Sequence, residues 1–361
     1  MKVLVAPLDW GLGHTTRCIP IIYNLLEKGV EVILAGNATQ QKVLSAEFPE
    51  CTFLDLPGYN IKYGKNRGSF VFKMLQQVPK MLLSIWNEHY WLKHVVNRYQ
   101  IDGIISDNRF GLFHKSIPTV FITHQLNIQT GAGQLADRAI QKMNYYWISK
   151  FRSCWIPDYE GDKNLAGVLS HPAKTPKVLC SYIGALSRLS IGDQSNDKEP
   201  VLLFVLSGPE PQRSIFEDLV FEQLKHFEGE AIVVRGLPCS KRRVAPRNNV
   251  LIYDHLSKKE LEPLIRKAQV VICRSGYSSV MDINAIRAKA ILVPTPGQTE
   301  QEFLGAFLAF RGFAPSFKQE QFDLQAALKM VKSFSYSGFV APQPELLDRA
   351  VMNFVAKLKQ P

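Results

Sequence analysis

No apolar run in this 361-residue chain approaches the roughly 20 residues that a bilayer-spanning helix requires, which argues against a transmembrane segment. Cysteine is sparse, six in all, without CxxC spacing. Cys18, Cys180 and Cys273 fall in apolar contexts, which suits reduced cytosolic thiols rather than a disulfide framework. No His/Cys/Asp cluster has metal-ligand spacing and no DxD motif occurs, so no metal site and no resident cofactor are expected. Internal repeats and low-complexity tracts are lacking. The start, Met1 to Pro7, is too short for a signal peptide and reads as a first strand. Acid is under-represented, with 32 Asp+Glu against 43 Lys+Arg. The imbalance peaks over 62–98, where seven basic residues face one acid, Glu88.

The chain is richest in strand–loop–helix units. Val270 to Cys273 reads as a buried strand, followed by a turn at Arg274-Ser275-Gly276 and a helix from about Ser278. Ala290 to Val293 is a second strand, and Pro294-Thr295-Pro296-Gly297 leads into a helix from about Thr299. Parallel sheets built this way bind ligands at the carboxyl ends of their strands. Ser275 and Gly276 stand where a backbone can approach an anion and the helix amino terminus favours negative charge. Asp282 lies near the start of that helix, where a carboxylate can accept hydrogen bonds from a sugar diol. Gln301 and Glu302 hold the same place in the following unit. The plainer alternative is that Asp282 and Glu302 only complement helix dipoles.

The amino-terminal loop, Pro7 to Arg17, follows a buried strand and contains Gly11-Leu12-Gly13-His14. It is not a dinucleotide fingerprint: Thr16 stands at the third glycine position, and the strand Val32 to Ala35 ends without an acid. His14 opens a helix, whose positive end favours the neutral imidazole that a general base or phosphate donor needs; simple helix capping is the alternative. Two later strands, Ile101 to Ser106 and Pro118 to Thr123, end in polar clusters. These supply Asp107, His124, Gln125 and Asn127. Val201 to Leu206 runs into Ser207-Gly208, where two prolines remove amide donors. Arg213 could replace them as a phosphate ligand.

Arg274-Ser275-Gly276, Asp282, the 294–302 loop and GLGH resemble the signature of GT-B glycosyltransferases, family 28 in particular. The resemblance implies an α/β fold of two Rossmann-like doubly wound domains facing across a cleft. The expected limits are 1–189 for the acceptor-side domain, 190–200 for a linker, 201–342 for the donor domain, and 343–361 for a helix crossing back. It further implies that Asp282 holds the nucleotide ribose and that Gln301 with Glu302 holds the donor sugar. Gly11, Gly13, Ser207, Gly208, Ser275, Gly276 and Arg188 would meet the nucleotide and its phosphates, and His255 and Leu256 the base; Arg213 joins them on its own chemistry alone, a solvated helix-start arginine being the alternative. Two positions depart from the family pattern: Glu302 replaces a glutamine and Gly305 an asparagine.

The implied reaction is inverting and metal-independent. A sugar such as N-acetylglucosamine passes from a UDP-sugar co-substrate to a hydroxyl of a lipid-linked or glycan acceptor. His14, Asp107 and His124 are the candidate catalytic groups, with Gln125 and Asn127 orienting the acceptor. A nucleotide-sugar 2-epimerase, or a non-catalytic sugar-nucleotide binding protein, is the alternative. Over Phe70 to Arg98 an apolar stripe (Val71, Met74, Leu75, Val78, Met81, Leu82, Ile85) is joined by Trp86, Tyr90, Trp91 and the local positive charge. The ordinary expectation is a core-facing helix; the sharper one is contact with an anionic membrane surface at the inner face of the plasma membrane. Nucleic acid is not an expected partner, because no motif accompanies the charge.

Overall fold

The computed structural model describes residues 1–59, 67–129, 133–192, 199–238 and 249–359, with backbone alone at 67–78 and at 200. The middle of the expected linker and the Lys241-Arg242-Arg243 loop lie outside the described residues. The chain divides into two compact units: Met1–Lys62, Val71–Leu186 and Gln343–Pro361 form the first, and Ser187–Pro342 makes up the body of the second.

The first unit contains β1 (Lys2–Pro7), α1 (Leu12–Glu27), β2 (Glu31–Gly36), α2 (Ala38–Glu47), β3 (Thr52–Asp55) and α3 (Arg67–Tyr99). It continues with β4 (Gly103–Asp107), β5 (Thr119–Ile122), α4 (Gln134–Ile148), β6 (Ser153–Ile156) and β7 (Leu179–Tyr182). All seven strands are parallel, in the order β3-β2-β1-β4-β5-β6-β7. The central strands are buried along almost their whole length, as a sheet covered on both faces requires.

The second unit contains β8 (Glu199–Val205), α5 (Gln212–Leu224), β9 (Glu230–Val234), β10 (Val250–Tyr253), α6 (Lys258–Lys267) and β11 (Ala268–Cys273). After these come α7 (Tyr277–Ile286), β12 (Ala290–Leu292), α8 (Thr299–Phe310) and α9 (Leu324–Ser333). Its five strands are again parallel, ordered β10-β9-β8-β11-β12. The last helix, α10 (Pro344–Leu358), packs on α1 in the first unit. Asp348 accepts from Asn24 Nδ2 at 3.3 Å and pairs with Lys28. A Cβ at Gly103 would lie 2.5 Å from Leu358 Cδ2 and 2.8 Å from Phe354 Cζ, so the glycine lets these two α10 side chains lie close on the sheet.

Each sheet reverses its winding once, between β1 and β4 in the first and between β8 and β11 in the second. In doubly wound folds the crevice at such a reversal is where ligands bind. Pro7 is paired with Asp107 at the first, and Val205 with Cys273 at the second. The loops leaving these residues carry most of the candidate site.

Three local expectations need correction. The first helix begins at Leu12 rather than after Arg17. Gly11 at φ 76° turns the chain sharply enough to start it, so Gly13, His14 and Arg17 all belong to α1. Asp282 sits in the second turn of α7, not the first. On α3, Leu82 is 45% exposed rather than core-facing, while Trp91 packs against the core of the first unit.

Candidate active site

The loop after β1 is pinned before any ligand arrives. Gln40 donates to the carbonyls of Pro7 and Leu8 at 3.0 and 3.1 Å. Arg109 Nε donates to Pro7 O at 2.9 Å, and Leu8 N to Asp107 O at 2.9 Å. Tyr59 N donates to Asp9 Oδ1 at 3.0 Å. The adjacent turn of α1 therefore presents His14 from a fixed base.

Three catalytic candidates meet there. His14 Nδ1 lies 3.2 Å from Asp107 Oδ1. Arg17, one turn further along α1, places Nε 2.7 Å from Asp107 Oδ2 and also pairs through Nη2 with Oδ1. Its Nη1 lies 3.2 Å from Nδ1 of His124. Cys18 Sγ approaches Asp107 Oδ2 at 3.7 Å. Burial, and then the Arg17 cation, push the His14 imidazole below its usual range, with Asp107 opposing them. Burial alone would raise the Asp107 carboxyl, but Arg17 and His14 outweigh it and hold it well below the carboxylate range.

Asp107, kept among the candidate catalytic groups as a possible base, sits in surroundings that suit a different role. Its side chain is wholly buried and locked as an anion, whereas His14 keeps 16% of its side chain exposed. A permanently ionised carboxylate in that position orients an imidazole and supports its charge. Arg17 was missed by sequence reasoning. The available signal was its spacing three residues after His14, which puts both side chains on one helix face.

Gln125 and Asn127 are half-buried and engaged through their backbones. Gln125 N donates to Thr123 Oγ1 at 3.0 Å and its carbonyl accepts from Asn144 at 3.2 Å. Asn127 N donates to Leu169 O at 2.9 Å. These bonds shape the loop after β5 and hold His124 in place at its head.

In the second unit the loops after β11 and β12 are stitched together. Ser275 Oγ donates to Gln301 O at 2.7 Å. The Gln301 side chain accepts from Thr295 N at 2.9 Å and donates to Gln298 Oε1 at 2.5 Å. Glu302 Oε1 accepts from Gly297 N at 2.9 Å. Arg274 is fully buried and donates to the carbonyls of Val293, Pro294 and Gln212 and to Gln319 Oε1 at 2.7–3.2 Å. It also stacks 4.1 Å over Phe216, and burial draws its guanidinium down to about 9. The side chains of Arg274 and Ser275 are accordingly structural ties, both wholly buried. Gly276 caps α7 and leaves the helix amino terminus open.

The departure at Gly305 has a steric reason. A Cβ there would fall 2.6 Å from Ser316 Oγ and 2.7 Å from Pro294 Cγ. No side chain fits unless the 294–302 loop moves.

Asp282 accepts from Ser187 Oγ at 2.7 Å, and Arg188 Nε approaches its other oxygen at 3.6 Å. Burial raises its carboxyl, with Arg188 and Ser187 pulling it back. Two expected nucleotide residues, Arg188 and Asp282, therefore face one another. Ser207 is half-buried, and Gly208, at φ 109°, stands beside the buried Thr295 hydroxyl, which has no partner among the described residues.

Arg213 does not join this group. Its guanidinium contacts Glu210 at 2.6 Å, Glu217 at 2.7 Å and Ser214 at 2.7 Å, so every nitrogen is engaged. Glu217 also pairs with Arg235, which reaches Asp254 Oδ1 at 2.5 Å. This ionic network ties α5 to β9 and the end of β10. His255 is half-buried, and Leu256 is 6% exposed with its side chain turned into the interior.

On α3, Leu83, Trp86 and Tyr90 are 63%, 74% and 63% exposed. Glu88, the only acid of 62–98, is buried and paired with Arg109 at 2.9 Å, which leaves that face without negative charge at its described positions. Among the described residues no helix is long and apolar enough to cross a membrane, and no group of three or more His, Cys, Asp or Glu side chains could hold a metal ion.

Residues 238–325 match the Glycosyltransferase family 28 C-terminal domain. Over 359 residues, 96% of this chain and 94% of the other, the protein is 20% identical to the UDP-N-acetylglucosamine--N-acetylmuramyl-(pentapeptide) pyrophosphoryl-undecaprenol N-acetylglucosamine transferase of Buchnera aphidicola subsp. Schizaphis graminum. The enzyme of the same name from Cronobacter sakazakii is 21% identical, with 94% and 89% of the two chains covered. Among solved structures, the spinosyn rhamnosyltransferase SpnG superposes with a TM-score of 0.63 at 15% identity, covering 99% and 97% of the two chains. MurG of Acinetobacter baumannii does so at 0.55 and 14%, covering 98% and 99%.

The two doubly wound units and these matches define a GT-B glycosyltransferase. Within it, residues 238–325 carry the match to the family 28 C-terminal domain. The family model spans the stitched β11–β12 loops and Asp282, but not His14, Asp107 or His124.

Proposed function

We propose that this glycosyltransferase is inverting and moves a sugar, N-acetylglucosamine or a near relative, from a UDP-sugar to a hydroxyl of a lipid-linked acceptor. The observation that carries the reading is the His14–Asp107 pair at the reversal of the first sheet. The donor is supported by the names of the relatives in two bacteria, which specify UDP-N-acetylglucosamine.

In this reading Asp107 fixes the His14 ring and His14 Nε2 takes the proton of the acceptor hydroxyl. The freed oxygen attacks the anomeric carbon from the face opposite the nucleotide, and the bond to the UDP oxygen breaks as that oxygen takes the electron pair. The departing charge falls on the open amino terminus of α7 and on Arg188, and no metal takes part. Asp282 leaves its contact with Ser187 or shares it with the ribose diol. Gln301 and Glu302, which brace their own loop, meet the sugar through the surface of that loop.

The apolar and aromatic face of α3 rests on an anionic membrane at its cytoplasmic side, where a lipid-linked acceptor is presented. The deciding experiment is a panel of UDP-, GDP- and dTDP-sugars read by thermal shift, followed by product analysis with and without acceptor. UDP-sugars should raise Tm most, by mass action. Epimer formation from UDP-sugar alone, without acceptor, would overturn the proposal.

A further inference from the structure

We infer that Arg17 is a positioning residue that assigns opposite hydrogen-bonding roles to the two histidines of the site, making His14 a proton acceptor and His124 a proton donor. The inference rests on the transferase reading above and goes beyond it. It concerns a residue that touches neither sugar nor nucleotide in that scheme.

The argument follows from which atoms can donate. A guanidinium carries only N–H donors and has no lone pair to offer. Arg17 Nη1 lies 3.2 Å from Nδ1 of His124. A proton on that nitrogen would face the guanidinium protons head-on, so Nδ1 of His124 must be the lone-pair side. The imidazole of His124 then carries its proton on Nε2. On the other side, Arg17 keeps Asp107 ionised through Nε at 2.7 Å and through Nη2. An ionised carboxylate only accepts. The nitrogen 3.2 Å from it, Nδ1 of His14, must therefore carry the proton, and the lone pair of His14 sits on Nε2.

One side chain thus sets two opposite tautomers. His14 offers a lone pair at Nε2, the requirement for a base. His124 offers an N–H at Nε2, the requirement for a group that polarises an oxygen or steadies an anion. Arg17 is 2% exposed and Asp107 is wholly buried, so water does not compete for these bonds. Lysine could not do the same. Its ammonium is a compact charge, whereas the guanidinium fork reaches both Asp107 oxygens and His124 at once. The charged and titratable groups around His14 that enter this account are Arg17 from its own helix, Asp107 from β4, and His124 from the loop after β5, with Cys18 touching Asp107.

The test reads tautomers directly and needs no substrate. Long-range proton–nitrogen NMR of the full-length protein, labelled at histidine nitrogen and assigned with His14→Gln and His124→Gln, distinguishes Nδ1–H from Nε2–H. The expected spectrum shows His14 protonated at Nδ1 and His124 at Nε2 at pH 7.5. The reverse tautomer at either ring overturns the proposal. In Arg17→Gln the cation is lost, so the His14 titration midpoint should move to higher pH. Arg17→Lys should keep the His14 midpoint near the wild-type value while His124 loses its single tautomer. An unmoved His14 midpoint in Arg17→Gln also overturns it. If that variant does not fold, the wild-type tautomers alone decide. Failure of the transferase reading would appear separately, as absence of sugar transfer with these tautomers intact.

Discussion

Ser275 Oγ donates to the backbone carbonyl of Gln301 at 2.7 Å, bonding the loop after β11 to the first turn of α8. Gln301 was expected to hold the donor sugar, and Ser275 to form part of a backbone cradle for its phosphates. In the structure they tie the two loops to one another, and Arg274 is clamped behind them by the carbonyls of Val293 and Pro294.

The first prediction concerns that bond. Ser275→Ala removes a buried donor and leaves the Gln301 carbonyl short of a partner, which should cost about 1–3 kcal/mol of stability. Chemical denaturation should report the loss. Donor affinity, measured by calorimetry, should fall with it because the loop loosens. Full stability in the alanine variant would show that the tie contributes nothing.

His14→Ala should lower kcat by about 100- to 10,000-fold, the usual contribution of a positioned proton acceptor. UDP-sugar affinity should be little changed if, as proposed, the donor contacts come from the second unit. The imidazole is held below its ordinary value of 6.5, so it stays unprotonated and competent as pH falls through that value. The acid limb of kcat/KM should lie below pH 6.5 in the wild type. A limb at or above 7 would be incompatible with His14 as the base in its present surroundings.

Asp282→Asn keeps the shape and an acceptor oxygen toward Ser187 but removes the charge facing Arg188. If Asp282 binds the ribose diol, UDP affinity should drop by about tenfold or more, equivalent to about 1.4 kcal/mol. Isothermal titration with UDP checks this, and equal affinities in the two proteins would remove Asp282 from the nucleotide site.

Glu88 has a separate pH signature. It accepts from Tyr59 OH at 2.7 Å, Arg109 Nη1 at 2.9 Å and Gly111 N at 3.1 Å, with Asp9 nearby, and burial pushes its carboxyl up to about 7. Unfolded, it would release its proton near the ordinary 4.5. Between those values the folded chain binds more protons, so this group makes stability fall as pH rises from about 5 to about 7. Glu88→Gln should flatten that slope. Thermal unfolding of both proteins from pH 5 to pH 8 measures it, and parallel slopes would refute the assignment.

Leu83 and Trp86 on α3 are mostly exposed, so replacing both with serine should change folding stability by no more than roughly 0.5 kcal/mol per site. Binding to vesicles containing anionic lipid should nevertheless fall sharply, and raised salt should weaken what remains. Unaltered co-sedimentation of the double variant would end the case for this face.

Much of the architecture was legible beforehand because it is written in short apolar runs. Val3 to Ala6, Val201 to Leu206 and Val270 to Cys273 each read as a buried strand, and parallel strands buried on both faces leave that uninterrupted pattern. The weaker strands β3 and β6 were not seen. Thr52–Asp55 is half-exposed and Ser153–Ile156 is only four residues long, too little for periodicity to register.

The positions of GLGH, Asp107, Ser275 and Asp282 at strand ends also came from the sequence, since a ligand-facing loop must follow a strand in this fold. Which of those side chains are free to act did not. Asp107 looked like a base, Arg213 like a phosphate ligand and Ser275 like part of an anion cradle. Each is instead bound up with a partner: Asp107 with Arg17 and Ser275 with Gln301, both distant in the chain, and Arg213 with Glu217 one turn along the buried face of α5. The sequence by itself determined the two parallel sheets and where their active rims lie, because hydrophobic pattern and turn chemistry are local. Only the tertiary structure decided that His14 keeps its outer nitrogen while Asp107 is locked away, because the energy of a buried charge depends on which groups folding brings around it.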